Sequence, residues 1–220
     1  MGTRGSVGFI YKGEVKLSYN HNDSYPDGLG ADLLDLIVKI NKENGWQQFK
    51  DNAEKLKHIE GEVTDSELIE KYKKYSNLNV SEQKLSDPYC LFREIQGAEW
   101  LDEMYKGDLE HYILDNRFIK ESLFCEYAYV VDLDSMKFEF YNGFQHKPQV
   151  GNRFGQELVE EYYPCRLMGV FNLFDIKSED AASELVEKML KIIEDEKDDP
   201  SVSAHFRIPK IKELMRKEGI

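Results

Sequence analysis

The densest group of potentially reactive side chains lies near the start of the chain, in the stretch S-Y-N-H-N-D-S-Y-P-D-G-L-G. Imidazole titrates near neutral pH, so His21 is a candidate acid or base. Asp23 lies two residues further on and is a candidate to orient that imidazole. His21 and Asp23 are therefore the candidate catalytic residues.

The same stretch is a candidate binding site for a small polar or anionic ligand. Gly28 and Gly30 precede an apolar helix, where backbone N–H groups can face an anion. Arg4 lies close by in sequence, and its guanidinium can bind a carboxylate or phosphate as a fork. The predicted ligand-binding residues are Arg4, Asn20, His21, Asp23, Ser24, Tyr25, Gly28 and Gly30.

A purely structural interpretation of this stretch stays open. Asn, Asp, Ser, Pro and Gly are the residues that turns prefer, and Arg4 can equally pair with Asp23 or a helix-end carbonyl. Two groups spaced as His21-x-Asp23 do not make a metal site, which needs three or four ligands. We predict no metal and no cofactor.

A second glycine-rich loop at residues 142–155 carries His146 and Arg153. These two side chains can complete a site. The alternative is that they are the exposed polar residues that loops usually carry.

The net charge of -13 argues against nucleic acid as a partner, because such a field repels phosphates. Residues 1–30 are the exception, since three cations there balance three carboxylates. A small anion would be repelled least in this region. No apolar run approaches the roughly 18 residues of a membrane span, so no membrane partner is expected.

Cysteine usage predicts a cytoplasmic protein. Cys90, Cys125 and Cys165 are widely spaced and odd in number, which is typical of a reducing compartment. No secretory signal is recognised at the start of the chain. Cys125 and Cys165 have strand-like apolar neighbours and are expected to be buried.

Hydrophobic periodicity predicts an α+β fold in one domain over residues 1–220. Alternating apolar residues at 3–11 and 14–20 predict one hairpin, and those at 124–132 and 137–141 predict another. We expect both hairpins in one mainly antiparallel sheet, covered by helices. The helical section spans about residues 31–118.

Several finer elements follow from caps and spacing. Thr64 and Glu67 form a possible capping box, and Asp87 with Pro88 is a typical helix start. The helix that begins at Asp87 and Pro88 is expected to carry Phe92, Ile95 and Trp100. Another short helix is expected at Leu109, Tyr112 and Ile113. After a last strand, we expect a helix that Ser178 caps. A terminal helix is expected to begin at Pro209.

The opening M-G-T-R-G, followed by Y-N-H-N-D-S-Y-P-D-G-L-G from Tyr19, resembles an uncharacterised family met in phages, bacteria and fungi. The later stretches E-Y-A-Y-V-V-D-L-D and Y-P-C-R-L are similar to strands of that family. The resemblance covers both ends of the chain and implies no established activity.

In architecture the start of the chain is also loosely similar to the N-terminal-nucleophile hydrolases. Those enzymes use a Cys, Ser or Thr at the mature N-terminus. Removal of the initiator Met would expose Gly2 here, which has no nucleophilic side chain, and Thr3 would require further trimming.

Two hypotheses follow. The first is a protein that binds, or processes by non-classical chemistry, a small polar or anionic ligand at the Asn20–Gly30 stretch. The second is an interaction protein, of a kind that phages encode, that occludes a host protein through its acidic and aromatic surface. The sequence leaves open whether any reaction occurs and what the oligomeric state is.

Overall fold

A five-stranded sheet forms the centre of the structure, a computed structural model that describes residues 2–197. The strands, numbered in chain order with two short additional ones, are β1 (Gly5–Tyr11), β2 (Glu14–Asn20), β3 (Lys57–His58), β4 (His111–Tyr112), β5 (Tyr127–Asp132), β6 (Lys137–Asn142) and β7 (Arg166–Asn172).

The sheet order is β2-β1-β5-β6-β7. The β1–β2 and β5–β6 pairs are the two predicted hairpins, and both lie in this one sheet, so the α+β fold class is confirmed. Three of the four strand pairs are antiparallel. The exception is the parallel contact of β1 with β5, which begins at Gly5 opposite Tyr127. A parallel pair needs a long crossover, and the helical section supplies it.

Strand alternation creates two cores, because successive side chains point to opposite faces of the sheet. Val7 and Phe9 face the larger core beneath the helices. Ile10 and Leu17 face a smaller core, which the loops around Phe118 and Phe154 cover. The site described below lies on the helical side.

The α-helices are α1 (Ala31–Glu43), α2 (Trp46–Lys55), α3 (Ser66–Tyr72), α4 (Pro88–Leu91), α5 (Glu99–Lys106) and α6 (Glu179–Lys197). α1 buries an apolar face that includes Leu33 and Ile37, as its spacing predicts. Ser178 Oγ accepts a hydrogen bond from Ala181 N, so the predicted cap of α6 is confirmed.

Two predicted helix boundaries are wrong. Asp65, rather than Thr64, caps α3, because its carboxylate accepts from the N–H groups of Glu67 and Leu68. Asp87 does cap a helix at Pro88, but that helix ends at Leu91. A separate helix, α5, then begins after Gly97, whose φ of +69° interrupts the helical path.

The expected helix at Leu109, Tyr112 and Ile113 is also wrong. His111 and Tyr112 form β4, which pairs in parallel with β3. Burial explains the misleading pattern, since Leu109 and Tyr112 both enter the main core from extended chain. The terminal helix predicted from Pro209 lies outside the described residues. Among residues 2–197, no helix is both long enough and apolar enough to cross a membrane.

Candidate functional site

A cleft of about 870 Å³ opens between α1 and α5. Asn20, Asn22 and Asp23 line one end of it, so part of the predicted polar stretch does reach a cavity. The segment that connects α4 to α5 completes this end, with Gln96 and Gly97. The cleft therefore joins two separate stretches of the chain, residues 20–39 and residues 93–106.

On α1, one face is turned to the cleft. Asp32, Asp35 and Lys39 line it, together with Leu36. Their spacing of three, four and seven residues places them on one side of a helix. Leu36 supplies an apolar contact between the charged groups.

α5 carries the same arrangement on the opposite wall. Glu99, Asp102, Glu103 and Lys106 line the cleft at the same helical spacing. On each helix the carboxylates thus precede the lysine that lines the cleft, and Lys106 lies in the last turn of α5, where the helix dipole favours a cation.

Ion pairs close the lysine end of the cleft. Lys39 Nζ lies 2.6 Å from Asp102 Oδ1, and Lys106 Nζ lies 2.8 Å from Asp102 Oδ2 and 2.8 Å from Glu103 Oε1. The first of these contacts joins α1 to α5. Both lysines are therefore engaged by carboxylates of the cleft itself.

At the opposite end of the cleft, three carboxylates have no lysine or arginine as an ion-pair partner. Asp32, Asp35 and Glu99 take part in none of the ion pairs found among residues 2–195, whose side chains the structure describes. Partial burial, with the charges of Asp35 and Asp23, raises the pKa of Asp32 above its ordinary value. Partial burial and the charge of Asp32 likewise raise the pKa of Glu99. A cation placed between these groups would relieve their mutual repulsion.

Asn20 is the buried polar anchor of this end. It is 6% exposed, and its Nδ2 donates to Asn22 O at 2.5 Å and to Ser24 Oγ at 2.8 Å. Its Oδ1 faces Gly97, where an added Cβ would lie only 3.3 Å away. The amide therefore fixes the loop with one end and reaches the cleft with the other.

Asp23 lines the cleft and is held in place by its backbone. Its φ is +54°, and its carbonyl accepts a hydrogen bond from Leu29 N at 2.8 Å. A Cβ on Gly28 would lie 2.5 Å from that carbonyl oxygen, so this position requires glycine. Asp23 is an exposed residue of the cleft lining.

Ser24 and Tyr25, two of the predicted binding residues, contact the protein itself. Ser24 is fully buried, and its carbonyl accepts from Tyr129 OH at 2.9 Å. The ring of Tyr25 packs 5.7 Å from the ring of Tyr127, although nearly half of the residue is exposed. Neither residue lines the cleft.

The predicted pairing of His21 with Asp23 is not formed. His21 Nδ1 lies 2.8 Å from the hydroxyl of Tyr19, and the imidazole does not line the cleft. Partial burial, followed by the charges of Arg93 and Arg4, lowers the pKa of His21. This shift favours the neutral form of the imidazole.

Arg4 and the backbone amides near Gly28, the predicted anion ligands, are also engaged. The Arg4 guanidinium lies 5.1 Å from the centre of the Phe124 ring, and Arg4 does not line the cleft. Gly28 N and Gly30 N both donate to Tyr25 O at 3.1 Å. The Arg4 guanidinium and the N–H groups of Gly28 and Gly30 therefore make contacts within the protein.

The first described residues pack against the same loop. A Cβ on Gly2 would lie 2.2 Å from Asn22 Oδ1, and Thr3 O accepts from Ser24 N at 3.1 Å. Thr3 is 4% exposed, so its hydroxyl is enclosed where the hydrolase-like comparison would need a nucleophile.

The second glycine-rich loop lies on the opposite face of the sheet. Arg153 Nη2 donates to Asp132 Oδ2 at 3.0 Å and to Glu139 Oε1 at 2.7 Å. Tyr141 OH donates to Glu139 Oε2 at 2.7 Å. His146 packs against Tyr162, with ring centres 4.6 Å apart. Neither His146 nor Arg153 joins the cleft.

Sequence reasoning missed the two acidic walls, although a signal was present. The spacing of Asp32, Asp35 and Lys39 recurs as Glu99, Asp102 and Lys106 on a second predicted helix. The balanced charge of residues 1–30 did not indicate an acidic cleft, because most of the carboxylates that line it come from beyond residue 30.

The cleft holds seven carboxylates against three cations. The carboxylates are those of Asp23, Asp32, Asp35, Glu94, Glu99, Asp102 and Glu103, and the cations are Lys39, Arg93 and Lys106.

Nothing in the described part of the chain groups three or more His, Cys, Asp or Glu side chains in an arrangement that could hold a metal ion. In comparisons with known proteins, no family model, no curated protein and no solved structure matches this chain significantly. The resemblance to the uncharacterised family stays a prediction.

Proposed function

We propose that this protein binds a small polar ligand with a cationic nitrogen in the cleft between α1 and α5. The observation that carries the proposal is the group of Asp32, Asp35 and Glu99, which line a cleft of about 870 Å³ and have no ion-pair partners among residues 2–195. A volume of this size falls within the range of small-molecule sites, about 300–1,000 Å³.

The charges of the cleft favour a cation over an anion. Each carboxylate that an ammonium group approaches contributes a charge-assisted hydrogen bond, whereas an anion meets a net repulsion. Arg93 is the cation of the cleft that takes part in none of the ion pairs among the described residues, so it can receive one acidic group of a zwitterionic ligand.

Asn20 would give this site its directionality. An amide held by two hydrogen bonds through Nδ2 presents Oδ1 as a fixed acceptor toward the cleft. An ammonium or amide N–H of the ligand suits such an acceptor. The nearby Asp23 carboxylate adds charge at the mouth. We propose no reaction step.

The experiment is native mass spectrometry of the purified full chain, which detects small molecules that remain bound. The Asp32→Asn/Glu99→Gln double variant should lose the bound mass. Glu62→Gln/Glu82→Gln is the matched control, because it removes two exposed carboxylates from a different cleft and should keep the mass. A bound anion that survives in the Asp32→Asn/Glu99→Gln variant would contradict the proposal.

A protein partner is the second candidate, and one surface favours it. A separate cleft of about 480 Å³ combines exposed Tyr89 with Glu60, Glu62 and Glu82. Such an acidic and aromatic surface suits a basic protein. Tyr89→Ala with Glu62→Lys should abolish that association and leave ligand binding in the first cleft unchanged. A partner that still binds this variant would exclude the surface.

A further inference from the structure

Two cysteines lie together in the smaller core, on the opposite face of the sheet from the acidic cleft. Cys125 lies two residues before β5, and Cys165 directly precedes β7. Both are fully buried, as their apolar neighbours predict. Cys165 Sγ donates to Cys125 O at 3.3 Å, and Cys125 Sγ donates to Tyr127 O at 3.5 Å. The fold thus brings together two thiols that the proposed binding site does not use.

Gly143 allows the two cysteines to approach each other. It directly follows β6, the strand between β5 and β7, and its N–H donates to Glu126 O at 2.8 Å. A Cβ on Gly143 would lie 2.0 Å from Cys125 O, so a side chain there would displace the carbonyl that Cys165 contacts. Cys165 N donates to Ile119 O at 3.0 Å, which fixes the second cysteine. The segments that carry the thiols therefore meet just beyond the end of β6.

Both thiols are unreactive while this core is closed. Burial, followed by a hydrogen bond with the Cys165 thiol, raises the pKa of Cys125 well above its usual range. The thiolate is the nucleophile in thiol chemistry, so a reaction requires the core to open. Residues 113–126 and 143–165, which cover this core, form one 3₁₀ turn and isolated β-bridges. Irregular chain of this kind opens locally at a lower free energy than core strands do.

We propose that Cys125 and Cys165 form a redox modification site, at which a low-molecular-weight disulfide such as oxidised glutathione creates a reversible bond between their sulfurs. After local opening, one cysteine thiolate attacks a glutathione sulfur. The S–S bond of glutathione breaks, and one glutathione leaves as a thiol with the proton that the cysteine lost. The second cysteine thiolate then attacks the protein-bound sulfur and displaces the other glutathione. Two protein thiols are thereby oxidised, and one glutathione disulfide is reduced to two thiols.

The new bond would connect the starts of β5 and β7, the two neighbours of β6 in the sheet. Its two cysteines are 40 residues apart in the sequence, and such a cross-link stabilises a protein mainly by constraining the unfolded chain. The oxidised protein should therefore unfold at a higher temperature. Because the closed core covers both sulfurs, reduction should also be slow in the folded protein. Neither effect depends on ligand binding in the acidic cleft.

The test is incubation of the full chain with oxidised glutathione at about pH 8, where thiolates form more readily. After an acid quench, free thiols are alkylated in denaturant, and peptide mass spectrometry identifies the linked cysteines. We expect a bond between Cys125 and Cys165 within one chain, and alkylated Cys90. Cys90 is the matched internal control, because it is also fully buried, and its Sγ donates to Val80 O at 3.1 Å and Asp87 Oδ2 at 3.4 Å. The chain unfolded in urea and oxidised in the same way shows which bonds form without the fold.

Two variants connect the bond to stability. Cys90→Ala should still form it, and oxidation should raise its Tm by about 5 °C or more. Cys165→Ala should show neither the bond nor the rise in Tm. If that variant does not fold, the peptide map of the unsubstituted chain still decides.

Four results would overturn the proposal. The first is a disulfide that mainly involves Cys90, and the second is a bond between two chains. The third is the absence of a Cys125–Cys165 bond in the folded chain under conditions in which the urea-unfolded chain forms disulfides. The fourth is a Tm that falls when the bond forms, because the two sulfurs would then be poorly placed for it.

Discussion

Lys39 Nζ and Asp102 Oδ1 lie 2.6 Å apart and connect α1 to α5 across the cleft. Both side chains are partly exposed, and Asp102 is also bound by Lys106. The pair therefore contributes at most about 1 kcal/mol to the free energy of unfolding, as exposed pairs generally do. Its larger effect concerns the charge of the cleft.

Lys39→Met should strengthen the binding of a cationic ligand, by about threefold, because it removes a competing positive charge from the cleft wall. Titration calorimetry with an amine probe measures this change. Lys12→Met is the matched control, since Lys12 forms a 2.6 Å pair with Glu54 outside the cleft. Equal effects of the two variants would show that only the overall charge matters.

Asn20 and His21 are adjacent in sequence but should differ in their effects on stability. Asn20→Ala leaves buried polar groups without a donor and should cost about 1–3 kcal/mol. His21→Ala removes a side chain at the surface and should cost about 0.5 kcal/mol or less. Urea unfolding measures both values. Comparable losses would mean that the imidazole has a structural role absent from this account.

Gly97 separates α4 from α5 and faces Asn20, so its substitution should affect both stability and the cleft. Gly97→Ala meets Leu29 Cδ1 at 3.1 Å and Asn20 Oδ1 at 3.3 Å. Gly61→Ala is the control, because Gly61 has nearly the same φ, +71° against +69°, with nothing within 4 Å. The backbone strain of about 1–2 kcal/mol is then common to both variants. Gly97→Ala should cost more and should also weaken ligand binding. A loss equal to that of Gly61→Ala would show that the contact with Asn20 is unimportant.

The Arg153 contacts predict a pH-dependent change in stability. Arg153→Met leaves the buried carboxylates of Asp132 and Glu139 without their cation and should cost about 2–3 kcal/mol at pH 7. Arg117→Met, an exposed arginine outside these ion pairs, is the control and should cost little.

Burial raises the pKa of Glu139 in the folded protein, and loss of Arg153 should raise it further. A carboxyl whose pKa is higher in the folded than in the unfolded state takes up a proton more readily when folded. Its destabilising effect is therefore full above the folded pKa and shrinks as the pH falls through it. The deficit of Arg153→Met should thus decrease toward acidic pH. A deficit independent of pH would contradict this assignment.

The elevated pKa values of Asp32 and Glu99 predict how ligand affinity depends on pH. Protonation removes the charges that attract a cation, so affinity should fall on acidification. Because both pKa values are raised, the fall should begin at a higher pH than ordinary carboxylates would give. Titrations from pH 7 to pH 4 measure this profile, and an affinity that increases on acidification would indicate an anionic ligand instead.

Much of the fold could be predicted from the sequence because strand alternation is a local signal. Val7 and Phe9 against Ile10, and Tyr129 against Val130, indicate their faces without knowledge of the partner strand. The parallel pairing of β1 with β5 could not be predicted in this way, since the two strands are far apart in the chain. Leu109 and Tyr112 led to a wrong helix prediction, because two buried residues three positions apart in an extended segment have the same spacing as one turn of a helix.

The candidate site was only half predictable for a similar reason. Asn20 and Asp23 belong to one short loop, and the density of polar groups identifies them. Asp32 and Glu99 meet only after α1 and α5 pack, so no local count of charge reveals their proximity. His21 lies in the loop after β2, and its residue type alone could not predict that its imidazole contacts Tyr19 and does not line the cleft.

The central claim is tested most directly by titrating the full chain with two probes of one carbon skeleton and opposite charge, 1,4-diaminobutane and succinate. We expect the diamine to bind, succinate not to bind, and Asp32→Asn/Glu99→Gln to weaken the diamine at least about tenfold, or about 1.4 kcal/mol. Glu62→Gln/Glu82→Gln should leave the diamine affinity unchanged. Succinate binding as tightly as the diamine, or a diamine affinity that Asp32→Asn/Glu99→Gln does not change, would contradict the account.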